Sequence, residues 1–273
     1  MIARRETAFG YAVLVAGSIA AVFPLLYVLL TALTPIGEAG PSFRWPSELD
    51  FQNLAIAWRQ GRFAQYMRSS LIVTTSVVVL GGVLSILAGF AFARLSFRGS
   101  GAAFAVFLVG LLVPLEGYII PLYFTMRSYG LLDTYASLIL PQVAQTVAFG
   151  TFWMRNYFRR IPMSLIEAAR LDGARDMRVL WTILVPMARP AIVTMVILTF
   201  MWTWNDFLLS LVMISSESHR TAPLALTFFQ AQYTVEYATL SAASLIVALP
   251  VVLLFVFLRR YFLEGMLGGA LRD

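Results

Sequence analysis

The 273-residue sequence contains no cysteine, no lysine and only one histidine, His219. Without cysteine the chain cannot form a disulfide, a zinc–thiolate site or a cysteine nucleophile. Without lysine it cannot form a phosphate-binding loop of the Gly-x-x-x-x-Gly-Lys-Ser/Thr type, so any ATP hydrolysis that serves this protein must take place on another chain. One histidine cannot build a histidine-based metal site. We therefore predict no metal site and no catalytic residue.

Charged residues of any kind are also scarce. They make up 12% of the sequence, whereas soluble domains carry about a quarter. Hydrophobic residues make up 60%, and the mean hydropathy is +0.80. The net charge is +6, and all 20 basic residues are arginine. This composition excludes an ordinary soluble domain and favours a lipid bilayer as the surroundings, and we predict no nucleic-acid partner.

Six segments are nearly free of charge over the roughly 20 residues that a bilayer-spanning helix needs. We therefore predict an all-α integral membrane protein in which residues 1–273 form one transmembrane domain of six helices. The predicted spans cover roughly residues 9–33, 69–93, 102–126, 134–154, 191–215 and 238–258. The first apolar run is too long for a signal peptide, and we predict that it is retained as a helix.

Arginine is distributed unevenly between the two sides of the membrane that these spans define. If the N-terminus is inside, the inner segments hold Arg4, Arg5, Arg94, Arg98, Arg155, Arg159, Arg160, Arg170, Arg175, Arg178, Arg189, Arg259, Arg260 and Arg272. The outer segments hold Arg44, Arg59, Arg62, Arg68, Arg127 and Arg220. By the positive-inside rule, both termini are predicted to be cytoplasmic.

Two features of the predicted spans bear on helix packing. Gly81, Ser85, Gly89 and Ala93 place a small residue at every fourth position, which lets another helix approach closely. The partner helix belongs either to this chain or to another subunit. Prolines also fall inside the spans, and neighbouring helices can satisfy the carbonyl groups that they leave free. These prolines are Pro24, Pro114, Pro121, Pro141 and Pro250.

The longest inner link, residues 155–189, predicts a helix, a turn and a second helix. Pro162 can begin a helix because its missing N–H would be unpaired in the first turn. Ser164 and Glu167 have the spacing of a capping box, which would begin the helix about one turn later. Both patterns predict a short helix over residues 165–171.

The turn is predicted at Gly173, because glycine accepts a positive φ angle readily. A second helix should follow from about Asp176 until Pro186 interrupts it. Ala168 and Ala169 would form a low-profile tip that can dock into a groove of a soluble partner.

This link contains a motif with a specific spacing. Glu167-Ala168-Ala169 is followed by three residues and Gly173, and after nine more by Ile183-x-Val185-Pro186. It resembles the EAA signature of ABC-importer permeases, with Val185 in place of the usual leucine. The resemblance implies that the link transmits movements of an ATPase to the membrane helices. The residues implied in this ATPase coupling are Glu167, Ala168, Ala169, Gly173, Ile183 and Pro186.

Four further motifs resemble, in the same order along the chain, those of maltose-type carbohydrate permeases. They are Pro114-x-Glu116 with Ile120-Pro121-Leu122-Tyr123, Trp202-x-Trp204-Asn205-Asp206-Phe207, Thr221-Ala222-Pro223 with Phe229-Gln230-Ala231-Gln232-Tyr233, and the glycine-rich tail from Arg260 to Ala270. The usual tail ends in a basic residue and glycine, whereas this one ends Leu271-Arg272-Asp273. The resemblance implies the smaller, six-span partner of a permease pair.

The carbohydrate-permease motifs contain three candidates for the translocation path or its gate, Glu116, Asn205 and Asp206. Glu116 lies roughly 20 Å along its predicted span, at about 1.5 Å per residue, and Asp206 at a similar depth. Both are expected in the outer part of the bilayer, where a carboxylate faces a cavity or reaches headgroup water. For Asn205 and Asp206, lining the path and capping a helix are equally open. In the outer loop 216–237, candidates for contact with a binding protein or substrate are Gln230, Gln232 and Tyr233.

The resemblance implies a transport subunit that passes sugar across a bacterial or archaeal cytoplasmic (inner) membrane by alternating access. Its implied partners are a homologous second permease, two ATPase subunits that bind ATP and Mg, and an extracytoplasmic solute-binding protein. No cofactor is expected on this chain. A polyol or glycerol phosphate is the alternative substrate.

Two alternatives come from other functional classes. An ion-coupled secondary transporter usually has internal repeats and buried ionisable residues near the midplane. An intramembrane enzyme would need a nucleophile and a base on facing helices. Neither pattern is clear in this sequence.

Overall fold

The computed structural model describes residues 2–229 and 236–267, and within these residues every regular element is helical. The helices are α1 (Ile2–Ala32), α2 (Gln52–Gln60), α3 (Phe63–Arg94), α4 (Ser100–Leu112), α5 (Leu115–Ser128), α6 (Tyr135–Arg160), α7 (Met163–Leu171), α8 (Asp176–Val179), α9 (Val185–Met187), α10 (Arg189–Trp204), α11 (Leu208–Met213), α12 (Ala222–Ala225) and α13 (Tyr237–Leu267). A π-helical turn, Leu180–Leu184, joins α8 to α9. Short 3-10 turns lie at Glu217–His219 and Leu226–Phe229.

Among the described residues, three helices are long and apolar enough to cross a membrane: Phe9–Ala32, Phe63–Arg94 and Tyr237–Arg260. Two bent helix pairs raise the count to five if each pair is one span. The predicted span 134–154 corresponds to the first part of α6, with Thr134 as its N-cap; α6 is 26 residues long but less apolar than α1, α3 and α13. The all-helical membrane architecture is thus confirmed, and the count of six spans stays a prediction.

The predicted span 102–126 is not one continuous helix. The axes of α4 and α5 differ in direction by 101°. Val113 is extended, with φ −83° and ψ 114°, and Pro114 follows it. Proline disfavours helical backbone in the residue before it and has no N–H to continue the helical hydrogen bonds. Pro24, Pro121, Pro141 and Pro250, by contrast, lie inside helices that continue past them.

The predicted span 191–215 is also interrupted. α10 ends at Trp204, and α11 begins at Leu208. At its other end α10 turns by 79° away from the helical segment Asp176–Met187. The depth of about 20 Å predicted for Glu116 and Asp206 assumed continuous helices. These breaks remove that assumption, because a straight-helix rise per residue does not apply across a sharp bend.

The helices form two compact units, Met1–Gln65 with Leu224–Pro250, and Tyr66–Pro223 with Val251–Asp273. In the first unit, the Asn53 side-chain amide donates to the carbonyl oxygens of Ala32 and Thr34, at 3.0 and 2.8 Å. These bonds satisfy backbone acceptors left free where α1 ends. The most apolar 18-residue stretch of α1 has no buried residue, so a bilayer or another subunit must cover it.

The second unit is built on close contact between α3 and α6. A Cβ atom added at Gly81 would lie 2.5 Å from Thr146 Cγ2, and one at Gly89 would lie 2.6 Å from Met154 Cβ. Ser85 Oγ donates to the Thr146 carbonyl oxygen at 3.3 Å. The small residues predicted to receive another helix therefore receive one from this same chain.

Candidate functional site

The predicted link 155–189 is shorter in the structure, because residues 155–160 are the last turns of α6. We call residues 162–188 the coupling segment. Its first helix, α7, begins at Met163 directly after Pro162, and no side chain caps its N-terminus. The helix start predicted from Pro162 is therefore confirmed, and the capping box predicted from Ser164 and Glu167 does not form.

The turn after α7 is held by hydrogen bonds that require a left-handed residue. Gly173 has φ +83°. Its N–H donates to the Arg170 carbonyl oxygen at 3.0 Å, and the N–H of Ala174 donates to that of Ala169 at 2.9 Å. This is the usual arrangement for ending a helix with glycine. A surface ion pair of 2.8 Å between Arg170 and Asp176 spans the turn.

The inner face of the coupling segment is anchored in a hydrophobic core. Ile166, Val179, Leu180 and Leu184 are all at most 2% exposed, and they belong to one buried cluster. The other members of that cluster, which come mainly from α3 and α6, are Ile86, Phe90, Met154, Phe158, Ile161, Ala188 and Met195. The segment is therefore packed firmly against the ends of these long helices, and packed interiors transmit strain.

The residues of the predicted motif differ in their exposure on the coupling segment. Glu167, Ala168 and Gly173 are exposed, whereas Ala169, Ile183 and Pro186 are partly buried. The second helix begins at Asp176 as predicted. Pro186 does not end it at once, since helical backbone continues through a π turn to Met187.

The coupling segment also exposes large apolar side chains close in sequence to the motif. Leu171 is 90% exposed, and Leu165, Met177 and Trp181 are exposed as well. A cluster of exposed apolar side chains marks a surface for contact with another molecule. The sequence prediction did not name these residues. The signal that could have identified them is the presence of large apolar residues in a link otherwise rich in arginine.

A cavity of about 280 Å³ lies at the break between α4 and α5. Its lining residues are Gly110, Leu111, Val113, Pro114, Leu115, Gln142, Gln145, Thr146, Phe149, Trp202, Thr203 and Asp206. The Gln145 amide donates to the Tyr118 hydroxyl at 2.6 Å, and the rings of Phe149 and Trp202 meet edge to face with centroids 4.8 Å apart. The lining thus combines uncharged hydrogen-bonding groups, aromatic rings and one carboxylate.

Of the three predicted path residues, only Asp206 lines this cavity. Its Oδ1 also accepts the Leu209 N–H at 3.1 Å and so caps the start of α11. The capping role that the sequence left open is therefore observed for Asp206, and its role in the path stays a prediction. Asn205 is exposed, and its amide donates to the Met201 carbonyl oxygen at 2.8 Å at the end of α10. Glu116 is exposed in the first turn of α5 and does not line the cavity.

The sequence prediction missed the polar residues that α6 contributes to the cavity. Gln142, Gln145 and Thr146 have the spacing of one helix face, and this polar face lies within a predicted span. That spacing was the available signal. It also explains why α6 is less apolar than the other long helices.

At the opposite end of the second unit, Asp133 ties two loops together. Its Oδ1 accepts the N–H of Ser216 at 2.9 Å, the hydroxyl of Ser216 at 2.8 Å and the N–H of Ser215 at 3.1 Å. These bonds, above all the one from the Ser216 backbone amide, hold the pKa of the Asp133 carboxyl below its usual range. The predicted contact residues Gln230, Gln232 and Tyr233 lie outside the described residues.

Comparison with known proteins agrees with this arrangement. A family model described as a binding-protein-dependent transport system inner membrane component matches residues 81–266. The chain is 31% identical to the diacetylchitobiose uptake system permease protein of Streptomyces coelicolor over 98% of its own length and 90% of that protein's. It is 32% identical to the arabinooligosaccharides transport system permease protein of Halalkalibacterium halodurans, with 92% and 91% covered.

A solved structure shares the fold. It is a bacterial ABC transporter involved in the import of the acidic polysaccharide alginate, with a TM-score of 0.81 and 22% identity. The match covers 95% of this chain and 97% of that one.

Proposed function

The chain belongs to the family of binding-protein-dependent transport system inner membrane components, and we propose that it carries a neutral sugar or oligosaccharide into the cell. It is a permease subunit of an ABC importer, and ATP is hydrolysed on a separate chain. The observation that carries the sugar proposal is the lining of the cavity at the break between α4 and α5.

The cavity chemistry suits a neutral, hydroxyl-rich molecule. Gln142, Gln145 and Thr203 offer uncharged donors and acceptors, and Trp202 and Phe149 offer ring faces against which a pyranose can pack. No arginine is among its lining residues, and binding a glycerol phosphate normally requires a cationic partner. The relatives named above are permeases for diacetylchitobiose and arabinooligosaccharides, and a third is the trehalose transport system permease protein of Mycobacterium tuberculosis, 29% identical. We therefore favour a sugar over a phosphorylated polyol.

We propose six membrane crossings in a bacterial or archaeal cytoplasmic membrane, with both termini on the cytoplasmic side. The long helices α1, α3 and α13 would supply three crossings. The bent pair of α4 and α5 would supply a fourth, α6 a fifth, and α10 with α11 the sixth. The polar face of α6 is accommodated because it lines a cavity rather than lipid. The excess of arginine at the inner ends supports this orientation.

The coupling segment is the proposed contact with one of two ATPase subunits, which bind ATP and Mg. The exposed tip, Ala168 and Gly173, and the exposed Leu171 form the docking surface, while Ile183 and Pro186 hold the segment against the membrane helices. A homologous second permease and an extracytoplasmic binding protein complete the transporter. ATP and loaded binding protein act by biasing two arrangements of the helices, which is alternating access.

Site-directed cross-linking tests the coupling contact, and the absence of cysteine makes every introduced cysteine unique. Ala168→Cys should form a cross-link to the ATPase in native membranes and should react with impermeant maleimide only after the cytoplasmic side is opened. Ser128→Cys, exposed at the end of α5, is the matched control and should react from outside without cross-linking. Reaction of both residues from the same side would contradict the topology.

Uptake into proteoliposomes tests the substrate class. Proteoliposomes that carry the assembled transporter with its ATPase subunits inside, and the binding protein outside, should accumulate at least one neutral oligosaccharide from a panel of candidate substrates. Accumulation should require ATP on the inside. Accumulation of glycerol phosphate in preference to every sugar would overturn the sugar proposal. Uptake driven by an ion gradient without ATP would overturn the coupling mechanism as well.

A further inference from the structure

A second cavity, of about 320 Å³, lies where α3 ends and α4 begins, beside the last turns of α6. Three of its lining residues are arginines: Arg94, Arg155 and Arg159. We call it the arginine cavity. It is separate from the proposed sugar site, with which it shares no lining residue.

The three arginines have no acidic partner among the residues that the structure describes. Arg155 donates through Nε to the Phe92 carbonyl oxygen at 3.3 Å, and its guanidinium lies 3.9 Å from the centre of the Phe104 ring. Neither contact neutralises its charge. Three like charges around one cavity repel each other unless an anion lies between them, so the cavity is built to attract one.

The donors that remain free point to the same kind of ligand. Arg94 donates to the carbonyl oxygens of Phe158 and Ile161 where α6 ends, and to the Met163 sulfur, so the free donors of the lining arginines are those of Arg155 and Arg159. Arg159 is exposed. The wall also includes Ser100 and Gly101, the first residues of the 13-residue helix α4, and helix N-termini favour phosphate oxygens. Guanidinium groups match the oxygens of a phosphate in pairs.

The position of the cavity indicates where such a phosphate comes from. No residue of α4 is buried within the chain, and Val106 and Val109 on this helix are strongly exposed. The arginine cavity lies at the N-terminal end of this apolar surface, and the stacking of Arg155 on Phe104 marks the boundary between the two. In a membrane that boundary lies at the level of the lipid headgroups.

We propose that the arginine cavity binds the phosphate group of an anionic phospholipid of the surrounding bilayer. Basic pockets between transmembrane helices on the cytoplasmic side are typical sites for such headgroups. The bound lipid would neutralise Arg155 and Arg159 and tie the start of α4 to the end of α6. Because Arg94 also holds the Ile161 carbonyl just before the coupling segment, the lipid would stabilise the base on which that segment rests.

Native mass spectrometry of the assembled transporter, titrated with phosphatidylglycerol or with phosphatidylcholine, tests the proposal. Arg155→Gln with Arg159→Gln should weaken phosphatidylglycerol binding about 30-fold, which corresponds to about 1 kcal/mol for each arginine near the membrane surface. Phosphatidylcholine binding should be unchanged. Arg98→Gln removes the same charge from the same inner end, outside the cavity lining, and should change phosphatidylglycerol binding less than twofold.

A second variant separates lipid binding from folding. Arg155→Lys with Arg159→Lys keeps both charges and should assemble at normal yield. Its affinity for phosphatidylglycerol should be closer to that of the unchanged chain than the affinity of the double glutamine variant is. Equal phosphatidylglycerol affinity in the glutamine variant and the unchanged chain would overturn the site. Tight, arginine-dependent binding of inorganic phosphate in lipid-free detergent would overturn the lipid as the source of the phosphate.

Discussion

The turn at Gly173 gives the sharpest test of how the coupling segment works. A Cβ atom at this position meets no atom within 4 Å, so Gly173→Ala introduces no steric clash. The cost is confined to the backbone, whose φ of +83° is disfavoured for alanine by about 1–2 kcal/mol. That cost makes the native turn about 5–30-fold less favourable relative to alternatives.

The structure indicates which part of the segment gives way. Releasing both Ile166 and Leu180 from the core would cost about 3–6 kcal/mol, at about 1.5–3 kcal/mol for each side chain, which exceeds the backbone strain of about 1–2 kcal/mol. The strain is therefore relieved at the turn, where only the bonds made by the N–H groups of Gly173 and Ala174 must open. The docking tip moves while the core and the membrane helices stay in place.

We therefore expect Gly173→Ala to insert and assemble normally but to transport less sugar for each ATP hydrolysed, measured in proteoliposomes. Gly173→Asn should transport an amount of sugar per ATP between those of the unchanged chain and Gly173→Ala, because asparagine tolerates the left-handed region better than alanine. Gly130→Ala is the matched control, since Gly130 has φ +68°, open space at Cβ and the same pair of turn hydrogen bonds at the other end of the molecule. The reasoning would be refuted if Gly173→Ala transported as much sugar per ATP as the unchanged chain, or if Gly130→Ala lowered this ratio by the same factor.

Three further predictions concern the anchor, the cavity and the outer loops. Ile166→Ala should destabilise the chain by about 2–5 kcal/mol and lower the melting temperature in detergent, whereas Leu165→Ala at an exposed neighbour should change it little. Asp206→Asn keeps an oxygen that can accept the Leu209 N–H, so it should reduce sugar uptake more than it reduces stability. Asp206→Ala should also lose about 0.5–2 kcal/mol of stability with the helix cap. Equal stability of the two variants would contradict the capping role. Because the pKa of Asp133 is lowered in the folded chain, the stabilisation that its carboxylate gives is complete above the ordinary carboxyl pKa and is lost as pH falls through the folded value. Asp133→Asn should therefore make the melting temperature depend less on pH on the acid side. An unchanged dependence of melting temperature on pH would contradict this role of Asp133.

The coupling segment shows how far local patterns reach. Pro162, Gly173 and Asp176 act on the backbone within one or two residues, and the structure has α7, the turn and the second helical segment where these residues predict them. The capping box failed for an equally local reason. After Pro162 the helix begins at Met163, two residues earlier than a cap at Ser164 would allow, so Ser164 and Glu167 lie inside it.

Local sequence patterns could not predict the cavity at the break between α4 and α5. Its walls come from helices separated by some 90 residues of sequence, and they meet because α4 and α10 both pack against α6 and because the chain bends by 101° at Pro114. A proline in a predicted span indicates that a bend is allowed but not how large it is. Pro121 and Pro250 lie inside helices that continue. Which polar residues face the resulting space therefore could not be read in advance.

The sequence by itself determined the membrane location, the helical class and the family, because these follow from composition, from the length of apolar runs and from the spacing of one motif. The tertiary structure decided that Asp206 lines the cavity while Asn205 caps α10 and Glu116 is exposed. The physical reason is that backbone preferences act between neighbours in sequence. The exposure of a side chain depends instead on which distant helix packs against it.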